Sequence, residues 1–198
     1  MVQPAASQPA INSSAIQTAR TDAVQIAGFY PGMDIQGVPD IMMSILADQQ
    51  LPGFGFTGVI RLGNGEQCVL MYTKSFMDAV EARARDRYGI ARAQAKVDEE
   101  VLTSCENSDG VMTAQAGADG KVTRIQFNDV RSLFNVQGVS LADFARHLAA
   151  EAHIPELKPN ENQTTWNYTS PQGTNIALET KNALGISMLR LVMSRSEP

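Results

Sequence analysis

Residues 164 to 193 read T-T-W-N-Y-T-S-P-Q-G-T-N-I-A-L-E-T-K-N-A-L-G-I-S-M-L-R-L-V-M, and their period is two. Trp166 alternates with Tyr168, Ile176 with Leu178 and Ile186 with Met188, while Pro171, Gly173 and Gly185 punctuate the runs. Alternation places every second side chain on one face of a strand, and Pro and Gly supply the backbone angles of tight turns. The stretch therefore predicts three antiparallel strands joined as hairpins. T-T-W-N-Y-T turns through S-P-Q-G into T-N-I-A-L-E-T, which connects through K-N-A-L-G to I-S-M-L-R-L-V-M.

Immediately upstream the period changes. Leu141, Phe144, Ala145 and Leu148 recur at helical spacing, with Arg146, His147 and Glu151 on the opposite side. Ser140 stands before them as an N-cap, able to accept a hydrogen bond from an N–H of the first turn. One amphipathic helix laid on a three-stranded meander makes a small two-layer α+β unit.

A second segment has the same order. Phe29 to Phe54 and Phe134 to Leu157 both run aromatic, Gly, apolar, Asp or Ser, aliphatic, a helical stretch, then aliphatic-Pro. Asp34 is the N-cap of the earlier copy. Pro39 falls inside its pattern and predicts a helix break at Val38, with a second helix over 40–47. Strands follow at G-E-Q-C-V-L-M-Y-T, V-M-T-A-Q-A and V-T-R-I-Q-F, the last two joined by Asp119-Gly120, a hairpin-turn pair. Where the later copy has a short turn, the earlier one carries an Ala-rich, charged stretch that reads as helix, with an i,i+4 pair of Glu81 and Arg85, a break at Gly89 and an apolar seam of Val97, Val101 and Leu102.

The fold read from the sequence is thus α+β, with two tandem two-layer units, each a helix packed on a small antiparallel sheet. Residues 1–25 form a disordered N-terminal arm, 26–130 the first unit with a helical insertion over 75–104, and 131–194 the second. In 198 residues, a hydrophobic content of 43% fills a core unaided by metals. A net charge of -5 has the wrong sign for a partner recognised through nucleic-acid phosphates. No apolar run is long enough to span a membrane. The polar, Ala- and Gln-rich start looks like the tail left by a removed signal or anchor. That favours an exported or periplasmic chain over a cytoplasmic one.

The helix start G-[MV]-[DS]-[IL] and the W-x-Y strand with its meander resemble the helix-plus-sheet module of beta-lactamase inhibitor protein and of small outer-membrane assembly lipoproteins. The resemblance is closest over 134–192. It implies a non-catalytic binding protein of the bacterial envelope or exterior that uses an exposed sheet face, such as an inhibitor, immunity or assembly accessory protein. A small cysteine-dependent or hydrolytic enzyme and a phage or bacterial structural subunit are the alternatives. The expected partner is another protein, with no cofactor, no metal and no nucleic acid, and a homo-oligomer is compatible with the chain.

Candidate partner-binding residues are Phe54, Phe56, Tyr72, Trp166 and Tyr168, aromatic residues of the kind that anchor interfaces. Gly53, Gly55 and Gly58 spell G-x-G-x-x-G, but a dinucleotide loop needs a strand before it and a helix after it. Here a helical stretch precedes and a strand follows, so a Gly-Phe loop near a sheet edge is expected. Cys68 and Cys105 flank the insertion, and a disulfide between them would tether its base. Neither is flanked by residues that mark an activated thiol. His147 and His153 do not share a helix face. Asp98, Glu99 and Glu100 read as a solvated face.

Overall fold

The computed structural model describes residues 23–48, 50–128, 130, 139–183 and 186–195. The expected arm, through residue 22, and the Phe134 to Gly138 start of the later segment lie outside the described residues.

The chain is α+β. Among the described residues all strands join one nine-stranded antiparallel sheet, in the order β1 (Phe54–Phe56), β3 (Gln67–Thr73), β4 (Met112–Ala116), β5 (Val122–Phe127), β9 (Ile186–Arg195), β8 (Thr174–Ala183), β7 (Thr165–Thr169) and β6 (Lys158–Pro159). The short β2 (Ile60–Arg61) also pairs with β3. Strands from the earlier and later segments meet where Phe127 of β5 lies opposite Leu191 of β9. β8 runs on through Lys181, Asn182 and Ala183, beyond the connection that the sequence predicts there.

One face of this sheet carries the main core. Met71, Met112, Ala114, Ile125, Phe127, Ile176, Leu178, Leu189, Leu191 and Met193 are buried there. The cover comes from helix α1 (Val38–Asp48), the segment leading into it, and helix α4 (Leu141–Glu151), whose Phe144, Ala145 and Leu148 point inward as their spacing requires. Ser140 Oγ accepts from Asp143 N at 3.1 Å and caps α4. Asp34 caps a single 3-10 turn, Ile35–Gly37. The break expected at Val38 separates this turn from α1, which starts two residues before the expected 40; Pro39 lies in its first turn, where the missing N–H has no intrahelical acceptor to lose. The lead-in segment is sewn to the β4–β5 turn by Ile35 N to Gly120 O at 2.9 Å and Val122 N to Met33 O at 2.9 Å.

The opposite face is covered over β3 and β4 by a helical hairpin, α2 (Lys74–Tyr88) and α3 (Ile90–Glu106). Thr73 caps α2, and Gly89, at φ 76°, ends it and begins α3, the break that the sequence predicts. Ala84, Ala93, Val97 and Val101 fill the seam between the two helices, while Val80, Leu70 and Leu62 join them to the sheet. Cys68 of β3 and Cys105 of α3 are joined by a fully buried disulfide with a Cα–Cα distance of 6.2 Å. Glu81 and Arg85 pair as expected. Glu100 departs from the solvated reading: its carboxylate is 13% exposed and receives Arg87 Nη1 at 2.9 Å and Arg83 Nε at 3.7 Å from the facing helix.

Gly110 lies at the entry to β4 where a side chain has no room. A Cβ there would meet the Leu70 side chain and lie 2.5 Å from the Met71 carbonyl oxygen. Gly110→Ala therefore has to push β4 away from β3, and overpacking of this kind costs about 2 kcal/mol or more. Its thermal midpoint should fall by several degrees, while Gly58→Ala, which adds a methyl to open space, should leave the midpoint unchanged.

Candidate functional site

The α2–α3 hairpin stops short of half the sheet. Among the described residues no helix covers its face over β9, β8 and β7, and burial alternates residue by residue: in β8, Thr174, Ile176 and Leu178 are buried whereas Asn175, Ala177 and Glu179 are partly exposed. Strand register sorts the open side chains into cross-strand rows. Thr165, Glu179 and Arg190 form one row. Lys158, Asn167, Ala177 and Val192 form the next, which ends against the buried Gln126, and Thr169, Asn175, Ser194 and Arg124 form the third.

Local chemistry holds these rows in place. Arg190 and Glu179 are directly opposite and paired, Nε to Oε1 at 2.5 Å, so the two charges neutralise each other at the centre. Thr169 Oγ1 bonds Asn175 Oδ1 across β7 and β8 at 2.8 Å. At the hairpin side, Arg124 donates to Gln126 at 2.9 Å, and the Gln126 amide donates to Asn128 at 2.9 Å and to the Ser108 carbonyl at 3.3 Å. Asn128 in turn bonds the Ser108 and Gly110 carbonyls, each at 2.6 Å. The loop leaving α3 is thereby locked to β5, which marks the boundary of the open area.

Beyond β7 the face ends in a hollow of about 530 Å³ lined by Pro155, Glu156, Lys158, Asn167, Tyr168 and Thr169. It exists because β6 is only a two-residue strand, pairing Lys158 with Asn167 and Pro159 with Trp166, while the chain at Pro155 and Glu156 leaves the ladder. A smaller hollow of about 300 Å³ opens on the other face, between Ala145, Ala149 and Ala150 of α4, Ile154, Leu157 and Trp166.

The five aromatic candidates do not share one surface. Phe54, Phe56, Trp166 and Tyr168 pack, half-buried, against the main core, on the helix-covered face. Trp166 borders the smaller hollow, with its indole nitrogen buried and without a hydrogen-bond partner among the described residues, and Tyr168 borders the larger one. Tyr72 lies on the opposite face with the hairpin cluster, its ring across from Gly55. A Cβ at Gly55 would come within 2.9 Å of that ring. The glycines around Phe54 and Phe56 thus have a packing and turn role: Gly55 makes space for Tyr72, and Gly53 holds φ 82° at the entry to the edge strand β1.

Thr165, Asn167, Thr169, Asn175 and Arg190 on the open face were not singled out from sequence. Their signal was present in the alternation of T-x-N-x-T with W-x-Y, since an antiparallel strand with one wet face puts its polar set outward. His147 lies on the exposed side of α4, 3.8 Å from Glu151, and His153 follows the helix in an exposed turn. Among the described residues no three His, Cys, Asp or Glu side chains are grouped to hold a metal ion, and no helix is long and apolar enough to cross a membrane. Compared with protein-family models, curated proteins and solved structures, the chain matches none.

Proposed function

We propose that this chain is a protein-binding module that works outside a reducing cytosol and receives its partner on the open face of β9, β8 and β7. The observation that carries the reading is the unequal cover of the sheet. Two helices close one face, whereas the hairpin closes only part of the other and leaves ordered polar rows on rigid strands. Hydroxyls and carboxamides flank the small apolar strip of Ala177 and Val192, and the central charges cancel. Such a mixture suits a protein surface, which is read by directed hydrogen bonds around a modest apolar centre. The buried disulfide supports an oxidising compartment, where such bonds form and persist. The class agrees with the inhibitor-like resemblance of the helix-plus-meander segments.

The test is photo-crosslinking in cells of the native source, with a benzophenone side chain at Thr169 and, as reference, at Asp98 on the outer side of α3. One discrete protein adduct from position 169 that is missing from position 98 is expected. The double substitution Asn167→Arg/Thr169→Arg should then weaken capture of that adduct protein at least tenfold with an unchanged thermal midpoint. Equal adduct patterns from both positions, or full capture by the double variant, would refute the reading.

A further inference from the structure

The α2–α3 hairpin turns at Gly89 in an apex whose chemistry differs from the rest of the molecule. Ile90, the first residue of α3, is 87% exposed, the higher of two such values among the large apolar side chains described. Around it the sequence from residue 83 to 96 carries Arg83, Arg85, Arg87, Arg92 and Lys96 against the single acid Asp86, in a chain whose net charge is -5. The acids that answer these cations lie toward the sheet: Glu81 pairs with Arg85, Glu99 with Lys96, and Glu100 with Arg83 and Arg87. Arg92, two residues on from Ile90 in the first turn of α3, makes no ion pair among the described residues. Tyr88 stands beside the apex with Arg87 5.9 Å and Lys96 5.4 Å from its ring centre. The hairpin is therefore polarised, positive and apolar at its tip, acidic toward its base.

The geometry points to the apex as a docking element for an anionic lipid surface. A tip that offers one protruding aliphatic side chain, Ile90, buries little against another protein, which would need a matching pit. A bilayer interface adapts to it: Ile90 enters the acyl boundary, and the surrounding guanidinium groups keep their stems in the interface and their charges among the headgroups. The overall negative charge opposes approach in any other orientation, so attraction confined to the tip also orients the molecule. The fifteen residues of α2 span roughly 22 Å, which puts the tip that far along the hairpin from Thr73, where the chain leaves β3. The open sheet face is left free when the tip is engaged. This inference does not depend on the protein-binding reading, because the two surfaces share no residue.

Co-sedimentation with phosphatidylcholine vesicles, with and without phosphatidylglycerol, tests it. The wild-type chain should bind only the phosphatidylglycerol-containing vesicles, at low salt, and dissociate as salt is raised. Arg92→Gln should lower the partition about fivefold, since each cation near such a surface contributes about 1 kcal/mol. Ile90→Asp should abolish binding while keeping the helical circular dichroism, because an acid in the first turn of α3 suits the helix dipole. Equal partition onto both vesicle types, or anionic binding that neither variant changes, would overturn the proposal. Binding to soluble polyglutamate without binding to vesicles would overturn it as well, by assigning the tip to an acidic protein.

Discussion

Cys68→Ala/Cys105→Ala should unfold in urea with about 4 kcal/mol less stability than the oxidised wild type. The bond spans a sequence separation of 37 residues, and closing a loop of that length removes roughly this much conformational freedom from the unfolded chain. The native state gives little compensation. Near its base α3 is held by the narrow seam of Val97 and Val101, and both sulfur atoms sit in a fully buried cluster with Leu70, so their loss also leaves a void. Wild-type protein reduced under denaturing conditions and refolded with its thiols free should show nearly the same loss. In limited proteolysis the hairpin should become the first site cut in both reduced and substituted forms. Coincident urea midpoints for oxidised and reduced protein would show that loop closure contributes nothing here.

Phe127→Ala is expected to cost about 3–5 kcal/mol, the range for deleting a large buried aromatic side chain. Phe127 is 1% exposed on β5, lies opposite both Met112 of β4 and Leu191 of β9, and meets the buried Phe29 edge to face at 5.8 Å. It touches the lead-in to α1 and the strand that joins the earlier and later segments. Its loss should therefore be felt in both. Trp166, the sole tryptophan, reports on β7, while far-UV circular dichroism reports largely on the helices. Both signals should move together to a lower urea midpoint. A Trp166 transition left at its wild-type midpoint while the circular dichroism transition shifts would mean that the two segments unfold separately.

That experiment bears on what the sequence discloses and what it conceals. The meander from Thr165 to Arg195, the Asp119-Gly120 hairpin, the Gly89 break and the Ser140 cap are local devices, each written within a few residues, and each stands where its chemistry requires. The junction of β5 with β9 has no local signature, because it pairs residues far apart in the chain whose only shared property is apolar alternation. For the same reason the carboxylate of Glu100 reads as solvated until the facing helix brings Arg83 and Arg87 to it. Pro39 marks its boundary locally: a short helical turn ends at Val38 and a second helix follows, the proline sitting in its first turn, where a missing N–H costs nothing. Residue type alone makes the aromatic side chains look like interface anchors. Trp166 and Tyr168 follow instead the parity of their strand, which turns them to the core and leaves Thr165, Asn167 and Thr169 outward.

The order of strand lengths across the sheet has a consequence for how the molecule behaves in a crowd. The ten-residue strands β8 and β9 lie inside, and the sheet tapers to three residues at β1 and two at β6, the latter ending in Pro159. An outer strand this short exposes few free amide and carbonyl groups, and proline withholds one of them, so neither end templates the addition of another chain's strand. Concentrated solutions should therefore remain free of fibrils, with strand length, Lys158 and Pro159 together guarding the β6 edge.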